Sequence, residues 1–277
     1  MNKKLRYLIV MLSLMGLVVG VILTCAHTPL RLPETPTGPY VKVLTWNVNW
    51  GMPEAEQTLA VLRQAEADVV CLQETTPRWE SFLRGWLGKE YPYMKFRHAG
   101  GAGGQALLSK KAFQELQYVV PSDGWFAGWI YEVQTDIGPL QILSVHLHPA
   151  LNEQGSFSAS AYFSTKQTRL NEIKTLFPLL KKDRPTLLVG DFNEGTSSRA
   201  VEWIVTQGFT NALAEFDYKS DTWKWKTSLL TLSKRFDHIL YSKEIYCLVS
   251  EVIKSGGSDH FPVRAIFEER KLPSKAE

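Results

Sequence analysis

The chain has 277 residues, enough for one large domain or two small ones, and its 44% apolar content supports a sizeable core and excludes global disorder. The formal charge of +3 comes from Lys3, Lys4 and Arg6; the 31 basic residues less these three leave 28, against 28 acidic ones. A formally neutral body argues against a strongly basic, sequence-indifferent nucleic-acid binder.

Met1–Ala26 reads as a targeting segment: a positive head, then an uncharged run from Tyr7 to Ala26 rich in Leu, Ile, Val and Met. The run is close to the ~20 residues that span a bilayer as a helix. Small residues at Thr24-Cys25-Ala26 equally suit a cleaved signal peptide. A lipid anchor at Cys25 is the weaker alternative, because Leu23 and Thr24 match the lipoprotein pattern poorly. The positive head places everything after residue 26 outside the cytoplasm. Residues 27–40, with Pro29, Pro33, Pro36 and Pro39, form a stiff linker.

From residue 41 to 270 the pattern is alternating α and β, without an internal repeat, and reads as one domain. Val41–Asn47 is a strand, and Ala55, Leu59, Leu62 and Ala65 share a helical face. Asp68–Gln73 is a strand ended by Glu74, and Trp79–Leu87 a short helix. Ala106–Ser109, Trp129–Gln134 and Leu140–Leu147 are strands. Leu170, Ile173, Phe177 and Leu180 mark a helix that Pro178 kinks or ends. Thr186–Gly190 is the central strand and Ala200–Gln207 a helix. Phe236–Tyr241, Ile245–Ile253 and Val263–Phe267 are the last strands, and Lys271–Glu277 is a tail. Cys71 and Cys247 sit in apolar strand-like runs and read as buried thiols; the three cysteines have neither metal spacing nor an even disulfide framework.

The most informative stretch is Leu187–Glu194, Leu-Leu-Val-Gly-Asp-Phe-Asn-Glu. Apolar residues run into a glycine and stop at a carboxylate, an aromatic and an amide, the pattern of a buried strand ending in chemistry. Asp191 and Asn193 point to one side of extended chain. Similar polar clusters end or interrupt other strands: Thr45-Trp46-Asn47-Val48-Asn49, Cys71-Leu72-Gln73-Glu74-Thr75, Ser144-Val145-His146-Leu147-His148, and Ser258-Asp259-His260-Phe261-Pro262 with Arg235-Phe236-Asp237-His238 upstream.

Singly these clusters are weak, but their type and order resemble the endonuclease/exonuclease/phosphatase superfamily, over roughly Val41 to Phe267. The best-matched pieces are Trp46-Asn47, Leu72-Gln73-Glu74, Gly190-Asp191-Phe192-Asn193 and Ser258-Asp259-His260. The resemblance implies an α/β fold, a four-layer α/β/β/α sandwich of two packed mixed β-sheets with outer helices, here preceded by an N-terminal hydrophobic helix. It also implies a metal-dependent phosphoesterase. Cleaving a phosphate ester with water requires charge neutralisation, an aimed water and help for the leaving oxygen. Hard oxygen ligands suit Mg²⁺, with Mn²⁺ as a substitute, and Glu74, Asn47 and Asp259 are the expected ligands. Asp191 would orient or deprotonate the water, and Asn193 would donate to a phosphate oxygen. His260 would act with Asp237, since an imidazole needs a carboxylate to fix its tautomer. Whether Asp191 or His260 is the base stays open. His146 would contact the phosphate or protonate the leaving group; the acid that supports the equivalent histidine in secreted deoxyribonucleases is missing from Gly103-Gly104-Gln105-Ala106.

Rival readings rank lower. His146-Leu147-His148 resembles a zinc pair, yet no further histidine follows until His238. His148 reads as a loop residue, and His238 should point away from Asp237. Gly100–Gly104 lacks the Lys and helix of a phosphate loop. Arg169 reads either as a phosphate contact or as a solvated helical residue. In Ser220–Arg235, Trp223 and Trp225 share one face and Lys224 and Lys226 the other: a lip that stacks on bases or settles at a membrane interface, or a hairpin packing its tryptophans on the sandwich. The expected substrate is a phosphoester in nucleic acid, a phospholipid headgroup or a small phosphodiester, with the membrane engaged through an uncleaved N-terminus and no protein partner inferred. A silent binding module is disfavoured because no member of the expected set is missing.

Overall fold

The computed structural model describes residues 30–151, 159–226 and 230–270. The expected N-terminal helix and the 271–277 tail lie outside the described residues. Among those described, no helix is long and apolar enough to cross a membrane.

Two six-stranded sheets stack face to face. The first has the order β13 (Ile245–Val252), β14 (Val263–Glu269), β1 (Tyr40–Asn47), β2 (Val69–Gln73), β4 (Gln105–Ser109), β3 (Tyr93–Arg97). The second has the order β5 (Phe113–Val119), β6 (Gly128–Thr135), β7 (Gly138–His146), β8 (Thr186–Asp191), β12 (Asp237–Tyr241), β9 (Thr210–Asn211). Pairs β1–β2 and β7–β8 are parallel and the other pairs antiparallel, so both sheets are mixed. A separate hairpin joins β10 (Trp223–Lys226) to β11 (Thr231–Lys234).

Period-2 alternation sorts the side chains into layers. Val41 and Val43 of β1, Val69 and Cys71 of β2 and Leu107 of β4 meet Trp129, Tyr131, Ile142, Leu187, Val189 and Ile239 of the second sheet in a buried seam. The alternate residues Leu44, Trp46, Val70 and Leu72 face outward, against α1 (Ala55–Ala65) and α2 (Pro77–Leu87). On the other flank Leu143, Val145, Leu188 and Leu240 pack on α4 (Lys166–Leu176) and α5 (Arg199–Thr206). Short helices α3 (Ala159–Ser164) and α6 (Ala212–Phe216) complete the order. The expected four-layer sandwich is therefore the one observed. Burying each large aliphatic or aromatic side chain contributes about 1.5–3 kcal/mol, so the seam and the two outer layers together carry the stability of the fold.

Local signals set the ends. Thr76 accepts a hydrogen bond from the Trp79 N–H and Pro77 opens α2. Pro178 ends α4 as expected, in a 3₁₀ turn over Phe177–Leu179. Cys71 and Cys247 are buried free thiols. The sequence reading missed β3, β5, β9 and the two short helices. β3 and β5 are half-exposed edge strands, so neither shows a clean alternation.

Candidate active site

The inward-facing series change character at one end of the seam, where β1, β2, β7 and β8 finish. Val43 and Thr45 lead to Asn47, Val69 and Cys71 to Gln73, Ser144 to His146, and Leu187 and Val189 to Asp191. Strand register fixes the neighbours: Asn47 lies opposite Gln73, His146 opposite Asp191, and Asp191 opposite Asp237 at the start of β12. Gly190 makes room for this, because its φ is 137° and a Cβ there would lie 1.9 Å from the Val145 carbonyl oxygen. Glu74 and Asn193 follow their strands with φ of 62° and 50°, turning the chain back at the mouth.

These residues meet. The Asn47 amide donates to Glu74 Oε1 at 2.9 Å and to Asp191 Oδ2 at 3.1 Å. Glu74 Oε2 accepts the Trp50 N–H at 3.1 Å. Asp191 Oδ1 accepts the Asn193 N–H at 2.8 Å, and one Asn193 amide hydrogen goes to the Leu147 carbonyl, leaving the other available. His260 Nδ1 donates to Asp237 Oδ2 at 2.8 Å, and its Nε2 lies 3.6 Å from Asp191 Oδ2. His146 Nε2 is also 3.6 Å from Asp191 Oδ2, and 4.0 Å from Glu74 Oε1. The Phe126 ring stacks on His146 with centroids 4.2 Å apart, on the histidine for which the sequence supplied no acid.

Burial and charge act together here. Burial disfavours the His260 cation, but the Asp237 and Asp191 carboxylates outweigh it and push its pKa up to about 10. Burial raises the Asp191 and Glu74 pKa values, while His260 pulls both back down. Burial lowers that of His146, which favours the neutral ring.

Asp259 sits at the rim. Its Oδ1 accepts the Asn49 amide at 2.9 Å and its Oδ2 the Trp223 indole N–H at 3.2 Å. Its charge acts on both Glu74 and His260. The Ser220–Arg235 stretch is thus a hairpin seated on the site, and the two readings of its tryptophans divide: Trp223 is buried, and Trp225 is exposed beside it.

Other expectations are settled by position. His148 turns its Nδ1 to the Pro149 carbonyl, and His238 points outward to Asn211 and the Glu194 carbonyl. Gly101–Gly103 is a 3₁₀ turn that no phosphate-binding helix follows. Arg169 corrects both of its readings. It is buried, with Nε 3.2 Å from Glu194 Oε1 and its other nitrogens on the His148 and Tyr162 carbonyls and the Thr165 hydroxyl. It braces the chain behind the site and reaches no substrate.

Several supporting residues escaped the sequence reading. Thr222 donates its hydroxyl to Asp237 Oδ2 at 2.6 Å, and Asn49 holds Asp259; both are polar loop residues with no local signature. Glu172, one turn beyond Arg169, accepts the His148 N–H at 2.9 Å, and burial pushes its pKa up to about 8. A carboxyl raised in the fold above its unfolded value contributes stability present below about pH 4.5, lost as pH rises through about 8. Glu172→Gln should therefore flatten the fall in melting temperature between those limits and stabilise the protein by about 1 kcal/mol or more at pH 9. A melting series against pH that keeps its slope in the variant would assign that slope elsewhere.

The residues suit a hard divalent cation. Glu74, Asp191 and Asp259 bring carboxylates to one mouth, and the Asn47 amide, which can present either end, lies between two of them. Asp191, Asp237 and His260 also lie close enough to share an ion. There, however, Asp237 Oδ2 already accepts from His260 and Thr222, so His260 and Asp237 form a hydrogen-bonded pair beside Asp191.

The model of the Endonuclease/Exonuclease/phosphatase family matches residues 44–260. No curated protein matches the chain. Among solved structures, TDP2 of D. rerio, complexed with single strand DNA product, is 18% identical with a TM-score of 0.65, covering 83% of this chain and 99% of that one. An endonuclease/exonuclease/phosphatase from Beutenbergia cavernae is 16% identical with a TM-score of 0.62, covering 85% of this chain and 73% of that one. TDP2 from C. elegans is 18% identical with a TM-score of 0.60, covering 83% and 75%. At these identities the likeness speaks to the fold.

Proposed function

Since the chain belongs to the endonuclease/exonuclease/phosphatase family, whose members hydrolyse phosphoesters, we propose that it is a Mg²⁺-dependent phosphodiesterase of nuclease-like type that acts outside the cytoplasm. The observation that carries this reading is the convergence of Asn47, Glu74, Asp191 and the His260–Asp237 pair at one end of the seam. Mg²⁺ held by Glu74, Asn47 and Asp259 would neutralise charge on the phosphate oxygens.

The protein's own groups divide the remaining work. With its pKa at about 10, His260 is a cation at neutral pH, fixed through Nδ1 to Asp237 with Nε2–H free to donate to a phosphate oxygen. That leaves Asp191, the residue shared by Asn47, Asn193 and both histidines, as the group that orients the water and takes its proton. His146, neutral and stacked on Phe126, contacts the leaving oxygen as a hydrogen-bond donor.

A nucleic-acid strand as substrate is supported by the single-strand DNA product in the D. rerio neighbour. A lipid or small phosphodiester is the second reading, favoured by the neutral body. The deciding experiment is hydrolysis by the full chain, with Mg²⁺ or with excess chelator, of plasmid DNA, RNA, a chromogenic phosphodiester, sphingomyelin and phosphoinositides. Mg²⁺-dependent turnover of at least one is expected, and turnover unaffected by chelator would overturn the metal assignment. The external location rests on the positive head and uncharged run of the first 26 residues. Protection of the domain from protease added to intact cells would overturn it.

A further inference from the structure

The end of the sandwich that carries the site also carries exposed indoles on three sides. Trp50 is 56% exposed, in the turn whose backbone N–H holds Glu74. Trp125 is 52% exposed, between β5 and β6, its ring centroid 4.4 Å from that of His148. Trp225 is 42% exposed on the hairpin, 6.0 Å from the Trp223 ring that anchors it. Lysines are interleaved at the level of aromatic rings: Lys224 lies 4.9 Å from the Phe261 centroid, Lys219 5.4 Å from Tyr218 and Lys166 4.8 Å from Phe163.

We propose that this rim docks on a lipid bilayer bearing anionic headgroups, and so presents the site to a phosphodiester held at that surface. Indoles favour the headgroup level, where their ring is buried and their N–H stays wet, and lysines reach past them to anionic phosphates. Each such lysine near an anionic surface contributes about 1 kcal/mol. The body is formally neutral, so the draw to the surface comes from these few lysines and the indoles together and not from a long-range field. Its tether is also short. Glu34 is fastened to β13, its N–H to the Leu248 carbonyl at 2.9 Å and its Oε1 to the Tyr246 hydroxyl at 2.7 Å. The eight peptide steps from Ala26 to Glu34 span at most about 28 Å. Docking requires no turnover and stands apart from the proposed reaction.

The test uses a property of the sequence: all nine tryptophans lie at or beyond residue 46, so indole emission reports the domain and never the N-terminal run. The full chain is reconstituted in phosphatidylcholine vesicles with or without phosphatidylglycerol, with bromine on the upper acyl chain as a short-range quencher. Emission should fall by up to roughly a third with phosphatidylglycerol, the share of three rim indoles among nine, and should recover at high salt. Trp50→Ala/Trp125→Ala/Trp225→Ala should abolish the quenching while circular dichroism stays native. Lys219→Glu/Lys224→Glu, which leaves every indole in place, should weaken it. Glu74→Gln, disabled in the proposed reaction, should quench like the parent. No quenching in the parent, equal quenching in the triple variant, or a spectral change with a single-stranded oligonucleotide but none with vesicles would each overturn the proposal.

Discussion

Asp191→Asn is expected to lower turnover by at least the ~10²-fold typical of a lost positioned acid–base group, with the fold intact. The amide has the carboxylate's shape, and its oxygen can still accept the Asn193 N–H that now reaches Oδ1. What disappears is the charge that accepts the Asn47 amide at Oδ2 and faces Nε2 of His146 and of His260 at 3.6 Å, and a nitrogen placed there would meet the Asn47 donor. Stability should hold or rise, since burial already penalises the charge at this position. His260 should lose one of its two principal charge partners, and its titration should move down from about 10. Turnover against phosphodiester, circular dichroism and the His260 ring resonances against pH together check this. Native dichroism with parental turnover would remove Asp191 from the reaction, and His260→Ala tests the complementary half with the same readouts.

Glu74→Gln is expected to raise the Mg²⁺ concentration for half-maximal activity on the order of 10²-fold, with partial recovery at saturating metal. Glutamine keeps an acceptor for the Trp50 N–H but removes the charge that attracts the cation. The Asn47 amide would then lie between one carboxylate and one amide in place of two carboxylates. A readout independent of turnover comes from melting: Mg²⁺ should raise the melting temperature of the parent by mass action and move that of the variant much less. Identical Mg²⁺ titrations of parent and variant, in both activity and melting, would sink the assignment.

What the sequence made legible follows the reach of its signals. Strands buried on both faces announce themselves, so Thr186–Gly190 was readable with Asp191 at its end, and in the fold alternation puts Asp191 on the inner face with Val189. Reactive side chains at strand ends inherit that legibility. The supports do not: Thr222 reaches Asp237 and Asn49 reaches Asp259 only because a hairpin and a turn fold onto the mouth. Arg169 was unreadable for a related reason. On the helix alone it is an ordinary polar position, and only the packing of α4 on the second sheet buries it against Glu194. Half-exposed edges such as β3 carry too little burial contrast to print a period.

The placement of the site on the seam also bears on how the protein matures. Asn47 and Glu74 come from one sheet and His146, Asp191 and Asp237 from the other, and the first sheet is incomplete until β14 pairs with β1 across most of the chain. Ser258 and His260, which hang on that last strand, tie back to the Asn47 carbonyl and the Trp46 indole at 2.7 and 2.9 Å. Contacts so distant in sequence close late, because the entropy of the intervening loop must be overcome first. A nascent chain therefore carries no working centre until its C-terminal strands have emerged and docked. The site is thus completed only by the final strand pairing, wherever in the cell that pairing takes place.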